Sequence, residues 1–208
     1  MITKMEADLI LKNFSLLSGG IDTFDLTRIQ AREIHSAWKY LWSVMEKEQN
    51  FSEHLGNEDI DWQIGNWAQD TSEVLLNNRL YKEAIQVNEQ VLKIRFDGED
   101  NLIHNNAKRI IADSYCHLKE PNKGIALYEG YLNEDPLWGM GWVGYLIALD
   151  ENQKERFLPV LNEVMARIRK GEQFSEEYIF FSEMKRLCEE HELKEDAAYL
   201  EEKMTIRK

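Results

Sequence analysis

Residues 101–136 read NLIHNNAKRIIADSYCHLKEPNKGIALYEGYLNEDP, and this stretch decides the fold. Apolar residues recur in it at steps of three and four, the spacing of one face of an α-helix. The segment Glu120-Pro121-Asn122 interrupts the pattern, because proline cannot continue a helix interior. Asp135-Pro136 ends the second segment in the same way. The stretch therefore predicts two helices joined by a short turn.

The same arrangement of helix, turn and helix recurs along the chain. Ala84 and Gly124 are small residues early in two successive second helices, where they allow neighbouring helices to approach closely. Pro159 either begins or kinks a later helix. The pattern predicts helices over 3–14 and 26–47 (capped by Asp25), a loop over 49–59, and helix pairs over 61–95, 101–133, 142–170 and 175–204.

The placement of Tyr115, Tyr128 and Pro136 resembles a tetratricopeptide repeat, whose ideal period is about 34 residues. The first pair departs from that motif, with Asn88 where an aromatic residue is usual and Arg79 where glycine is usual. The predicted fold is all-α. It is a tetratricopeptide-like α-solenoid of about four helix pairs over 61–208, with an N-terminal helical extension over 1–60, the two forming one continuous domain.

Residues 61–150 also resemble the helical-repeat region of bacterial proteins that often carry a zinc-chelating SEC-C module. The matching pieces are Asn66-Trp67-Ala68-Gln69-Asp70, Glu73, Asn77, His104-Asn105 and the segment 134–142. The resemblance implies a helical-repeat fold and a bacterial, cytoplasmic protein, and it implies no defined activity. Residues 201–208 contain no cysteine or histidine, so we expect the SEC-C module itself to be absent.

Composition narrows the classes of partner. The net charge of −13 and the lack of a run of basic residues argue against binding to nucleic acid. No apolar run reaches the length that spans a bilayer, and the first residues lack the basic start of a signal peptide, so we expect a cytoplasmic protein that does not enter a membrane.

Two cysteine–histidine combinations are candidates for metal binding or catalysis. Cys188 and His191 lie three residues apart on a predicted helix, but no second pair with matching spacing completes a zinc site. The side chains of Cys116 and His117 are adjacent and point about 100° apart on a helix, which suits neither chelation nor a catalytic pair. We therefore expect no metal, no cofactor and no catalytic residues.

The segment Trp138-Gly139-Met140-Gly141-Trp142 has two interpretations. Two indoles beside flexible glycines could form a ligand-binding loop. Alternatively, the tryptophans pack between adjacent helix pairs and the glycines allow close approach of the backbone. Large buried aromatic side chains dominate the energetics of cores, which favours the packing interpretation.

Two polar stripes are the candidate binding site. Each follows steps of three and four on the first helix of a pair, and in a tetratricopeptide-like array such helices line one groove. Amide, carboxylate and guanidinium groups there can hold a peptide backbone or a charged terminus, although both stripes can also be ordinary solvated faces. The stripes are Asn66, Gln69, Glu73 and Asn77 on one helix and Asn106, Arg109, Asp113 and His117 on the other.

The sequence thus predicts a non-catalytic scaffold that binds a protein or peptide partner in this groove. Two alternatives stay open. One is an antitoxin, immunity or phage-defence component, which would also be small, acidic and helical. The other is an enzyme whose site no motif reveals, since no Walker loop, His-Glu-x-x-His or Gly-x-Ser-x-Gly occurs.

Overall fold

The computed structural model describes residues 2–18, 25–96 and 102–206. Within these ranges the regular elements are helices, and the β-type pairing is a single isolated bridge between Ser52 and Arg95. The predicted all-α fold is confirmed. The helices are α1 (Lys4–Asn13), α2 (Ser15–Ser18), α3 (Arg28–Lys47), α4 (Glu58–Asp61), α5 (Ile64–Asn77), α6 (Tyr81–Val91), α7 (Leu102–His117), α8 (Pro121–Glu134), α9 (Gly139–Asn152), α10 (Lys154–Arg169), α11 (Glu177–Glu190) and α12 (Lys194–Ile206).

Threonine side chains cap the N-terminal ends of α1 and α3. Thr3 begins α1 and Thr27 begins α3, each in a capping box in which the threonine hydroxyl accepts from the backbone N–H three residues later. The side chains of Glu6 and Gln30 accept from the backbone of the capping threonine in return. The predicted cap at Asp25 is wrong, because Thr27 supplies the better-placed oxygen directly before the first helical residue.

The chain divides into two compact units, Met1–Leu118 and Lys119–Lys208, called unit 1 and unit 2 below. In unit 1, α5 and α6 form a helical hairpin, and α7 packs against both. Helix α3 packs on α5, and α1 packs on α3. The assignment of residues 1–60 as an extension separate from the repeats stays a prediction, and α3 belongs to the same compact unit as α5.

Aromatic residues fill the core of unit 1. Phe14, directly after α1, stacks on Trp67 of α5 with ring centroids 4.3 Å apart and planes at 6°. Trp38 of α3 is fully buried, and its indole N–H donates to the Gln90 side chain of α6 at 2.9 Å. Large aromatic side chains bury a large apolar surface each and therefore dominate the stabilisation of a core. These contacts fix α1, α3, α5 and α6 around one centre.

A left-handed residue follows several of the helices. At the end of α5, Arg79 has a φ of 56°. Its N–H donates to Leu76 O at 2.9 Å, and the N–H of Leu80 donates to Leu75 O at 2.9 Å, which is the Schellman arrangement. The chain thus keeps the turn that glycine usually makes, although arginine stands there. The same conformation recurs at Gln49, Lys119 and Glu192, after α3, α7 and α11.

In unit 2, α9 packs against α8, α10 and α11, and α11 pairs with α12. Two glycines of α9 permit this packing. A Cβ at Gly144 would lie 2.2 Å from the Tyr128 hydroxyl, and one at Gly141 would lie 2.1 Å from the Trp138 ring. Trp138 is fully buried. The packing interpretation of this segment is confirmed, and the ligand-loop alternative is wrong.

Trp142 is also a core residue, with 9% of its surface exposed. Its indole N–H donates to Pro136 O at 2.9 Å, and the Arg167 guanidinium lies 5.3 Å from the centre of its ring. Pro159 lies inside α10 rather than at its start.

Candidate functional site

A pocket of about 330 Å³ opens between α5, α6 and α7 in unit 1. Helix α5 contributes Gln69 and Glu73, and α7 contributes Asn106 and Arg109. These four residues come from the two predicted stripes, which the hairpin geometry brings to the same pocket. Aliphatic side chains complete the wall: Ala68, Leu76, Val91, Ile103, Ala107 and Ile110.

The other four predicted residues lie outside the pocket lining. Asn66 and Asn77, at the two ends of the α5 stripe, are exposed. His117 is exposed at the end of α7, where its ring stacks on Tyr81 with centroids 4.8 Å apart. Asp113 is half-buried, one turn beyond Arg109 on α7. The stripes are therefore longer than the pocket, and only their central residues line it.

Arg109 is the most distinctive side chain of the pocket. Its Nε is buried and has no hydrogen-bond partner in the structure. Within the described residues, the guanidinium forms no ion pair or hydrogen bond. A buried donor without a partner costs about 1–3 kcal/mol, so a ligand that accepts from it recovers that free energy on binding.

The carboxylate of Glu73 lines the same pocket and likewise forms no ion pair with a described residue. Burial, reinforced by the nearby charge of Glu73, raises the pKa of Asp70 on the same helix above its usual value. The pocket therefore presents one cationic and one anionic group to whatever enters it.

The floor of the pocket is polar and internally satisfied. Ser72 donates its hydroxyl hydrogen to Ala68 O at 2.6 Å and lies 3.2 Å from the Asn88 side-chain oxygen. The Asn88 amide donates to Ala84 O at 2.8 Å. Both side chains are buried. The polar groups of the floor therefore have hydrogen-bond partners, whereas the charged groups of Arg109 and Glu73 have none among the described residues.

The short side chain of Asn88 contributes space to the pocket. In the next predicted repeat its counterpart is Tyr128, 40 residues later, which is fully buried. Where Tyr128 fills its site with a ring, Asn88 is short and leaves space beside it. The sequence pattern identified Asn88 as a departure from the motif but gave no reason to place it at a binding site. Ser72 was missed altogether, because a single serine on an apolar face carries no periodic signal.

Cys188 lies in the core, and His191 has contacts of its own. Burial raises the pKa of the Cys188 thiol to about 11, which disfavours the thiolate that metal binding or nucleophilic attack needs. His191 instead contacts Asp150, with Nε2 and Oδ2 3.1 Å apart, and packs on Phe157. In the described ranges no three His, Cys, Asp or Glu side chains cluster as metal ligands.

These features define the class of protein: an all-α helical-hairpin protein with a small amphipathic pocket between α5, α6 and α7 of its first unit. No helix in the described residues has both the length and the apolar character to cross a membrane.

No protein-family model matches the chain, and no curated protein matches it. Among solved structures, the chain is similar to one from work described as the functional characterization of Pseudomonas aeruginosa pilF. The identity is 13%, the TM-score is 0.39, and the match covers 94% of this chain and 88% of the other. The resemblance to SEC-C proteins stays a prediction.

Proposed function

We propose that this protein is a non-catalytic interaction module that binds a peptide segment of a partner protein along α5 and α7 of unit 1. The observation that carries the proposal is the pocket around Arg109, whose buried Nε has no hydrogen-bond partner among the described residues.

Arg109 determines the kind of segment that fits. A guanidinium can hold a carboxylate with two parallel hydrogen bonds, so the segment presents a carboxylate to the pocket. The side-chain amides of Gln69 and Asn106 flank it and can pair with the peptide backbone. The net charge of −13 favours a partner that is basic overall, because long-range attraction speeds encounter.

Peptides selected from a displayed random library against the wild-type chain provide the test. We expect them to carry a shared acidic position, and replacement of that acid by its amide to weaken binding. Charge-assisted hydrogen bonds contribute about 1.5–3 kcal/mol, so Arg109→Ala is expected to weaken binding about 10- to 100-fold in fluorescence anisotropy.

Two further variants complete the experiment. Asn88→Tyr, which fills the pocket and leaves Arg109 unsubstituted, is expected to abolish binding. Arg28→Ala removes an exposed guanidinium of unit 1 outside the pocket and is expected to bind as wild type. Wild-type affinity in Arg109→Ala and Asn88→Tyr, both folded by circular dichroism, would refute the proposal.

The immunity or phage-defence role and the unrecognised enzyme stay alternatives at the level of sequence. The cytoplasmic location likewise stays a prediction from the sequence. No contact among the described residues favours either alternative over a general binding role.

A further inference from the structure

The proposed function rests on the guanidinium of Arg109. The same pocket also carries a group of opposite charge, the carboxylate of Glu73. Arg109 and Glu73 carry opposite charges and line one pocket, yet no ion pair joins them. A peptide carboxylate would satisfy Arg109 and leave Glu73 unpaired. A ligand that carries both an anion and a cation would satisfy the two groups together.

The pocket volume and walls limit what that ligand can be. At about 330 Å³ the pocket is at the lower end of the range for small-molecule sites. Its remaining walls are aliphatic, with Leu76, Val91 and Ile110 among them. The polar floor formed by Ser72 and Asn88 is already hydrogen-bonded internally, so it does not call for a polar group on the ligand.

We propose that this pocket binds a free α-amino acid with an aliphatic side chain. Arg109 takes the α-carboxylate, Glu73 takes the α-ammonium group, and the aliphatic wall takes the side chain. The proposal goes beyond peptide binding, since a residue inside a peptide chain has neither of the two charged α-groups. An amino acid in the pocket would also compete with a peptide for Arg109.

Three probes with one carbon skeleton separate the contributions. L-leucine carries both charges, 4-methylpentanoate lacks the ammonium group, and L-leucinamide lacks the carboxylate. Each is titrated into the full chain by isothermal calorimetry. Each lost charge-assisted hydrogen-bonded contact is expected to weaken binding by at least about tenfold, so L-leucine is expected to bind most tightly.

Two variants assign each charge to its residue. Glu73→Gln is expected to remove the preference for L-leucine over 4-methylpentanoate and to leave the preference over L-leucinamide. Arg109→Ala is expected to do the reverse. The wild-type melting temperature is expected to rise with L-leucine, and the rise to vanish in Asn88→Tyr.

Two results would overturn the inference. One is equal affinity for L-leucine and 4-methylpentanoate in the wild type, which would make the pocket a simple anion site. The other is the absence of saturable L-leucine binding up to the millimolar range. Because the selected acidic peptides are measured separately, retained peptide binding in either case would leave the proposed function standing.

Discussion

Exchanging the residues at the two equivalent positions, 88 and 128, tests the origin of the pocket. Tyr128→Asn places in unit 2 the residue that unit 1 already has. Tyr128 is fully buried, and its hydroxyl reaches the backbone of α9 at Gly144. Truncation of a buried aromatic side chain costs about 3–5 kcal/mol, because lost burial and the new cavity add. We expect Tyr128→Asn to lie in that range.

The reciprocal change, Asn88→Tyr, is the matched partner of this experiment. The new ring enters a pocket of about 330 Å³ that is already present, so it gains apolar burial without opening a cavity. It also removes the amide that donates to Ala84 O, a loss of about 0.5–1.5 kcal/mol. We expect the two contributions nearly to cancel, with a net change under about 1.5 kcal/mol.

Urea denaturation followed by far-ultraviolet circular dichroism measures both variants. Two compact units can unfold separately, so tryptophan fluorescence is recorded in parallel as a second probe. Equal destabilisation of the chain by Asn88→Tyr and Tyr128→Asn would contradict this expectation. That result would mean that the space beside Asn88 does not accept the ring that its counterpart accommodates.

Three further changes test individual contacts. Trp142→Ala removes a core ring and its hydrogen bond to Pro136 O, and is expected to cost about 3–5 kcal/mol in denaturant unfolding; an unchanged midpoint would contradict its burial. Arg79→Gly relieves a left-handed φ of 56° and is expected to raise stability by about 0.5–1 kcal/mol; a lower melting temperature would show that the turn needs the arginine side chain. The folded-state pKa of Asp70 is raised by burial and Glu73, so its ionised form opposes folding above that pKa and the penalty fades as the pH falls through it. Asp70→Asn is therefore expected to raise the melting temperature at pH 7 and to lose this advantage in acid, whereas an advantage independent of pH would assign the gain to something other than charge.

Most of the fold was predictable because apolar periodicity reports which face of a helix is buried. The residues at which helices end were less predictable. Helix α6 ends at Val91 rather than near Arg95, because Arg95 turns back to pair with residues 51–53. The backbone N–H of Arg95 donates to Phe51 O at 2.8 Å. The two residues are far apart in sequence, and local periodicity does not report such contacts. The short α4 was missed for a similar reason, since its four residues make too little pattern.

The lining of the candidate pocket was predictable in part. Steps of three and four placed Gln69 and Glu73 on one face and Asn106 and Arg109 on another. That the two faces meet at a pocket depends on how α5, α6 and α7 pack. The predicted stripes also include Asn66 and His117, which lie outside the pocket lining. They were included because a solvated face of a helix has the same periodicity as a binding face. Local spacing does not distinguish them.

The side chain of Arg109 offers the most direct measurement of the central claim. Its Nε–H gives a resonance in a ¹H–¹⁵N spectrum, assigned by its disappearance in Arg109→Lys. We expect a selected acidic peptide, or L-leucine, to shift this resonance saturably as the buried donor gains a carboxylate partner, with the Arg28 resonance unchanged. Saturable binding that leaves the Arg109 resonance in place would contradict binding at this pocket and locate the binding surface elsewhere on the chain.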